Sequence, residues 1–380
     1  MTKDNTGRSD LVHFRMDMDR RTLLKGIGAA GALAVAGLPP LAAQAATKLN
    51  FIGWEGYDSF LEADDFSKKS GAALQKSYIS STDEIVTKLR LNPAQVDLCT
   101  PYFTTDHFLA EDSLIEEIDL SKVPNFKNIH PTILKYCEGN MSKDGKWYAV
   151  PMTYGSNCMV YNADIIKTAP TSWTDMLKPE YKGKCAITAD YQGNIFAWAR
   201  VAGVKDPAHM TYDELKKTTD LLIDLKKNHL RTIAPSYGDL VTMLSSKEVI
   251  IAQGWEPVAE WVGKAATIKV AYPKEQAMGF IEGYAIGKGS PNIDAAHAFI
   301  NNALSIKGQL AGATANSMPV VIADAIPQTP PDNQALYDYK GLDQYFTVKT
   351  NVVSMYPLDS DGVHATWDDY QEAWEKVFKA

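Results

Sequence analysis

The chain has 380 residues, enough for two globular units at about 100–200 residues per domain. A composition of 45% hydrophobic and 22% charged residues excludes a disordered or low-complexity protein. The net charge is −8; residues 1–45 hold six basic and four acidic side chains, so the remainder carries about −10, which argues against nucleic acid or an anionic membrane as a partner.

The chain opens on an address. Asp19-Arg20-Arg21-Thr22-Leu23-Leu24-Lys25 precedes a Gly/Ala-rich apolar stretch from Gly26 to Leu38, and Ala43-Gln44-Ala45 supplies a small-residue cleavage site. This is the layout of a secretory signal, and the paired arginines resemble a twin-arginine signal. The apolar stretch is shorter than the about 20 residues a membrane span needs. No lipobox cysteine follows it, so a soluble mature chain from about Ala46 is expected. Gly26-Ile27-Gly28-Ala29-Ala30-Gly31 matches a dinucleotide fingerprint, but it lies in this removable segment without the strand and βαβ unit that the chemistry needs.

Leu49–Trp54 reads as a buried strand, followed by a helix over 58–69 that Gly71 ends. A strand near 74–78 comes next, then a helix opened by a Ser81/Glu84 capping box, and a strand over 95–99. Gly145 permits a turn before a strand over 147–150. Strands at 184–188 and 249–252 and helices at 212–227, 295–304 and 367–378 continue the alternation, the last with Trp374, Val377 and Phe378 as its buried side. Alternating strand and helix predicts a mainly parallel α/β sheet. Val150-Pro151 to Tyr161 leads out of the first such pattern, and Tyr272 to Ile286 is the expected return, so two discontinuous lobes with a water-filled cleft between them are predicted.

Chemistry-bearing motifs are scarce. G-x-S-x-G, H-E-x-x-H and a Walker A loop are all missing. Gly283–Lys288 falls one residue short of the last and lacks its Ser/Thr. His107, His130, His209, His229, His297 and His364 are scattered, as solvated or capping side chains would be. Cys99, Cys137, Cys158 and Cys185 form no C-x-x-C pair; disulfides and buried free thiols are both open. Neither a metal nor another cofactor is implied. An enzyme is disfavoured, and a protein that binds only a partner protein is a third possibility.

Several segments together carry a family resemblance: Gly53-Trp54-Glu55-Gly56-Tyr57, Asp97–Tyr102, Asp144–Pro151 with Val160-Tyr161-Asn162, and Thr171–Leu177 running into Lys178–Gly183. In order and spacing they resemble the family 1 extracellular solute-binding proteins of ABC importers, and most closely the spermidine/putrescine-binding branch. The resemblance implies a periplasmic-binding-protein-like α/β fold of type II, two discontinuous lobes joined by a hinge. The implied boundaries are a signal over 1–45, an N-terminal lobe over 46–154 and 279–326, and a C-terminal lobe over 158–276 and 330–380. It further implies a monomer in the periplasm that binds a polyamine or a similar small organic cation and delivers it to a membrane permease.

The resemblance lines the cleft with Trp54, Tyr57, Thr100, Tyr102, Asp190, Trp255, Phe280 and Glu282; Glu55 and Glu256 are further acids beside those aromatics. Aromatic faces attract ammonium groups by about 0.5–2 kcal/mol each, and a carboxylate adds a charge-assisted hydrogen bond. Trp255 is expected at a loop tip. For Asp190 a helix-capping role competes with a ligand role. Departures from the branch pattern are Gly56 where an acid is usual, Gly193 in place of a second acid, Phe280 in place of Trp and Asn316 in place of an aromatic residue. They leave open a smaller mono-amine, or a zwitterion or anion met by Arg200 or Arg231.

Overall fold

The computed structural model describes residues 47–79 and 82–380, the side chain of Thr82 excepted. The export signal and the Ser81 half of the capping box lie outside the described residues. Twelve strands run along the described chain: β1 Thr47–Gly53, β2 Ala72–Tyr78, β3 Leu98–Cys99, β4 Ser142–Lys143, β5 Lys146–Trp147, β6 Ala149–Asn162, β7 Cys185–Thr188, β8 Leu230–Ala234, β9 Ile251–Trp255, β10 Ile268–Ala271, β11 Ala277–Ala285 and β12 Thr350–Val352.

β1 pairs in parallel with both β2 and β3, as strands joined by helical crossovers do. β7 likewise pairs in parallel with β8 and β9. Between these two parallel groups lie β6 and β11, antiparallel to each other from Ala149 to Asn157. The whole order is β2-β1-β3-β11-β6-β9-β7-β8, with β10 on β6 and β12 on β11. β6 is 14 residues long and buried throughout. Its first part pairs with β11 and its last with β9 and β10, so one strand serves both halves of the sheet. The two segments read as outgoing and return crossings are therefore hydrogen-bonded neighbours. Pro151 sits opposite Gly283, where the register slips by one residue. A bulge there tolerates a residue with no N–H to give the ladder.

Local chemistry revises several boundaries. The helix expected over 58–69 breaks into Asp58–Leu61, Ala63–Asp65 and Phe66–Ser70. Asp64 and Asp65 take positive φ, a conformation that short acidic side chains tolerate better than most, and Lys69 and Lys307 hold Asp64 there. Gln95 belongs to a helical turn begun by Pro93, so β3 starts only at Leu98. The strand expected at 249–252 runs instead from Ile251 to Trp255, which makes Trp255 its last residue and not a loop tip.

In the C-terminal helix Trp367–Lys379, Tyr370, Ala373 and Val377 are buried and Trp374 is half-buried. Phe378 is 57% exposed, one position beyond the apolar stripe. His297 is buried, neither solvated nor a cap: its Nε2 accepts the Asp119 N–H at 2.9 Å and its Nδ1 faces the Ile293 carbonyl. His130 does cap, accepting the Thr132 N–H. All four cysteines are buried free thiols.

Candidate ligand-binding site

Strand parity sets the site. Residues directly paired across antiparallel strands share a sheet face, and alternate residues along a strand do the same. Asn157 pairs with Trp255 and with Met278, Gly155 with Phe280 and Thr153 with Glu282. One face therefore carries Gly155, Asn157, Trp255, Phe280 and Glu282 from three different strands. Gly155 is the floor: a Cβ there would overlap the Trp255 indole and come within 2.7 Å of Phe280 Cζ. The rings over it are close, with centroids 6.0 Å apart for Trp255 and Phe280, 6.5 Å for Phe280 and Tyr102, and 5.9 Å for Trp255 and Tyr237.

The acids on this face have few protein partners. Glu282 is 1% exposed and its Oε2 accepts no hydrogen bond. Burial, reinforced by the carboxylates of Asp106 and Asp190, pushes its pKa well above the ordinary 4.5. Asp106, not singled out in the sequence, is also buried, and neither of its oxygens has a partner; it opens the short helix Asp106–Glu111. Its signal was faint: an acid just past the C-terminal end of a strand, where α/β proteins dock ligands.

Asp190 fills both roles that competed for it. It is the N-cap of the helix Tyr191–Val201, its Oδ1 accepting the Gly193 N–H at 3.4 Å, and its Oδ2 accepts the Asn157 Nδ2–H at 2.7 Å. Burial raises its pKa, and these donors partly offset the rise. Tyr57 and Tyr102 are buried, and their phenols are pushed up first by burial. The charges of Glu282 on Tyr57, and of Asp190 and Glu282 on Tyr102, add to the rise.

Other expected residues serve the frame. Thr100 Oγ1 accepts the Trp54 N–H at 3.3 Å and packs against Gly53, anchoring the loop that presents half-buried Trp54. Asn316 donates to the Gly56 carbonyl at 3.1 Å and to Ser59 Oγ at 3.3 Å, so it staples the same loop. Gly56, at φ +92°, leaves it no room for a Cβ. Glu55 is exposed.

Glu256 is fully buried but follows Trp255 by one position and belongs to the opposite face. Its oxygens accept from Ser156 N–H and Oγ, Tyr272 and Tyr345 at 2.6–3.1 Å, leaving no free carboxylate for a ligand. Arg200 donates to the Glu275 and Lys205 carbonyls and to the Gln276 side chain, and Arg231 pairs with Glu248. Both candidate anion partners are thus committed elsewhere.

The expected water-filled gap is not open in this conformation. Trp255, Phe280, Tyr57 and Tyr102 are 5–7% exposed, and the described chain packs as one compact unit. Segments after β3 touch segments after β7: Thr104 donates to Gln192 at 3.1 Å, and the Phe108 and Trp367 rings meet at 6.4 Å. Gln371 donates to Asp83 at 2.9 Å. Among the described residues no cluster of His, Cys, Asp and Glu could hold a metal ion, and no helix is long and apolar enough to cross a membrane.

The chain is similar to known proteins over most of its length. The chain is 27% identical to the putrescine-binding periplasmic protein PotF of Escherichia coli (strain K12), over 72% of this chain and 77% of that protein. It is 28% identical to the spermidine/putrescine-binding periplasmic protein of the same strain, with the same coverage. Among solved structures, a putative spermidine/putrescine ABC transporter protein from Listeria monocytogenes superposes with a TM-score of 0.75 at 18% identity, covering 87% of this chain and 99% of that one. The spermidine/putrescine substrate-binding protein PotD of Streptococcus pneumoniae gives 0.69 at 19% identity, covering 88% and 99%. At such identities these structures show the fold, that of periplasmic-binding-protein-type chains. The model of one family, the bacterial extracellular solute-binding proteins, matches residues 63–338, and the chain belongs to that family.

Proposed function

We propose that this chain is the exported substrate-binding component of an ABC importer and that it captures a polyamine of the spermidine/putrescine class. The observation that carries the reading is a sheet face that sets aromatic rings beside the buried Glu282, with buried Asp106 and half-buried Asp190 close to it and no cation paired with any of the three among the described residues. Burying an acid without a partner is costly, and a ligand ammonium repairs the deficit. Relatives named for putrescine and spermidine binding support the same ligand class. An anion finds no free arginine on this face, which disfavours that alternative.

The lobes of this reading are residues 46–154 with 279–326, and 158–276 with 330–380; β6 and β11 are the hinge strands between them. Opening pivots about this pair, breaks the Thr104–Gln192 and Asp83–Gln371 bonds, and exposes the rings and acids to solute. The ligand closes the gap again, and the closed form is what a permease receives. Residues 1–45 direct the chain to the periplasm by a twin-arginine-type signal, and the mature protein acts as a monomer. Binding without turnover is the mechanism.

A thermal-shift panel of the mature protein against spermidine, putrescine, a betaine, amino acids and organic acids tests the ligand class. The reading expects the polyamines to raise the melting temperature most, by mass action on the folded state. Stabilisation only by an organic acid or an amino acid would overturn it.

A further inference from the structure

We propose that Asn157 is a ligand-contacting specificity residue: its amide oxygen accepts an N–H from the primary ammonium group that Asp190 holds. The inference rests on the polyamine reading and deepens it by naming the head group and a further contact. Asn157 stands on the same face as Trp255 and Phe280, in register with Trp255. It is 2% exposed. Its Nδ2 donates to Asp190 Oδ2 at 2.7 Å and lies 3.4 Å from the Tyr237 hydroxyl. An ionised carboxylate only accepts, so this contact fixes the amide orientation and leaves Oδ1 as the other terminus. Oδ1 is buried and accepts no hydrogen bond from the protein.

Gly193 explains how the amide fits. A Cβ at that position would lie 2.7 Å from Asn157 Oδ1 and 2.9 Å from its Cβ, so any side chain at 193 would take the space the amide occupies. A buried acceptor without a donor is unfavourable. A primary ammonium has three N–H donors: the Asp190 carboxylate takes one and the neutral Oδ1 another, while the rings pack on its carbon chain. A quaternary ammonium suits the rings equally well but offers Oδ1 nothing. Asn157 thereby selects for N–H-bearing head groups, which aromatic walls alone do not.

The test separates this acceptor role from a purely positioning role for the Asn157 Nδ2–H. Putrescine is titrated by calorimetry into wild-type protein, Asn157→Ala and Asn157→Asp, with melting curves as folding controls. Alanine removes both atoms, whereas aspartate keeps an acceptor and loses the donor. The inference expects alanine to weaken putrescine binding about tenfold and aspartate to stay within about threefold of wild type. Aspartate as weak as alanine, or alanine equal to wild type, overturns it. If Asn157→Asp does not fold, Asn157→Thr, which keeps an acceptor oxygen and suits a strand, is judged by the same threefold limit. A wild type that binds no putrescine would instead sink the polyamine reading, and this inference with it.

Discussion

Glu256 and Glu282 are two buried acids on opposite faces of the same strand group, and they could hardly be treated more differently. Glu256 accepts four protein hydrogen bonds that tie the end of β9 to β6, to the turn before β11 and to the segment before β12. Glu282 has an oxygen with no donor and two neighbouring carboxylates. A carboxylate satisfied by the chain is part of the fold. One left unsatisfied in a folded protein is a site held ready for something the chain does not supply. The distinction rests on which face a residue occupies, and one step along a strand decides it.

The sharpest way to break this contrast is to remove each acid. Glu256→Ala leaves Ser156, Tyr272 and Tyr345 donors buried without an acceptor, and a loss of about 3 kcal/mol or more of stability is expected by denaturant titration. A loss below about 1 kcal/mol would show that Glu256 is no keystone. Glu282→Gln should do the reverse: polyamine affinity falls about 10- to 100-fold by calorimetry, while the ligand-free protein gains stability at neutral pH.

Burial raises the Glu282 pKa, and that sets the direction of the pH dependence. A carboxyl whose folded pKa exceeds its unfolded one contributes its stability fully below the unfolded value, near 4.5. That contribution is lost as pH climbs through the higher folded value. Ligand-free wild type should therefore lose melting temperature relative to Glu282→Gln as pH rises above about 5. Equal pH profiles for the two proteins would contradict the assignment.

Gly155→Ala is expected to cost about 1–3 kcal/mol and to weaken binding, because Trp255 and Phe280 must move off the floor. Unaltered affinity would place those rings outside the ligand's reach. The smallest effect belongs to the far surface: Phe378→Ser should change stability by no more than about 0.5 kcal/mol and leave binding alone.

Much of the fold was legible because it is written in strong local signals. Leu49, Phe51 and Ile52 form an apolar run interrupted only by exposed Asn50, and Gly71 ends its helix in the left-handed conformation. The two crossings were visible as apolar segments, but their mutual pairing joins residues more than a hundred positions apart, which no local pattern reports. The same limit applied to the site. Trp255 could be named from its position after an apolar run, yet the face taken by Glu256 depends on where β9 ends, and that boundary lay three residues past the expected one. Asn157 and Asp106 escaped notice because a lone polar residue in a strand or a helix start reads as ordinary until its burial and missing partners are known.

If Glu282 is the counter-ion to the ligand, proton linkage reads this directly. Spermidine binding is measured by calorimetry at neutral pH in buffers of different ionisation enthalpy, for wild type and for Glu282→Gln. Burial raises the Glu282 pKa in the ligand-free protein and an ammonium beside it lowers it again, so wild type should release more protons on binding than the variant, which lacks the carboxyl. Tight spermidine binding by wild type with a proton release identical to that of Glu282→Gln would contradict it.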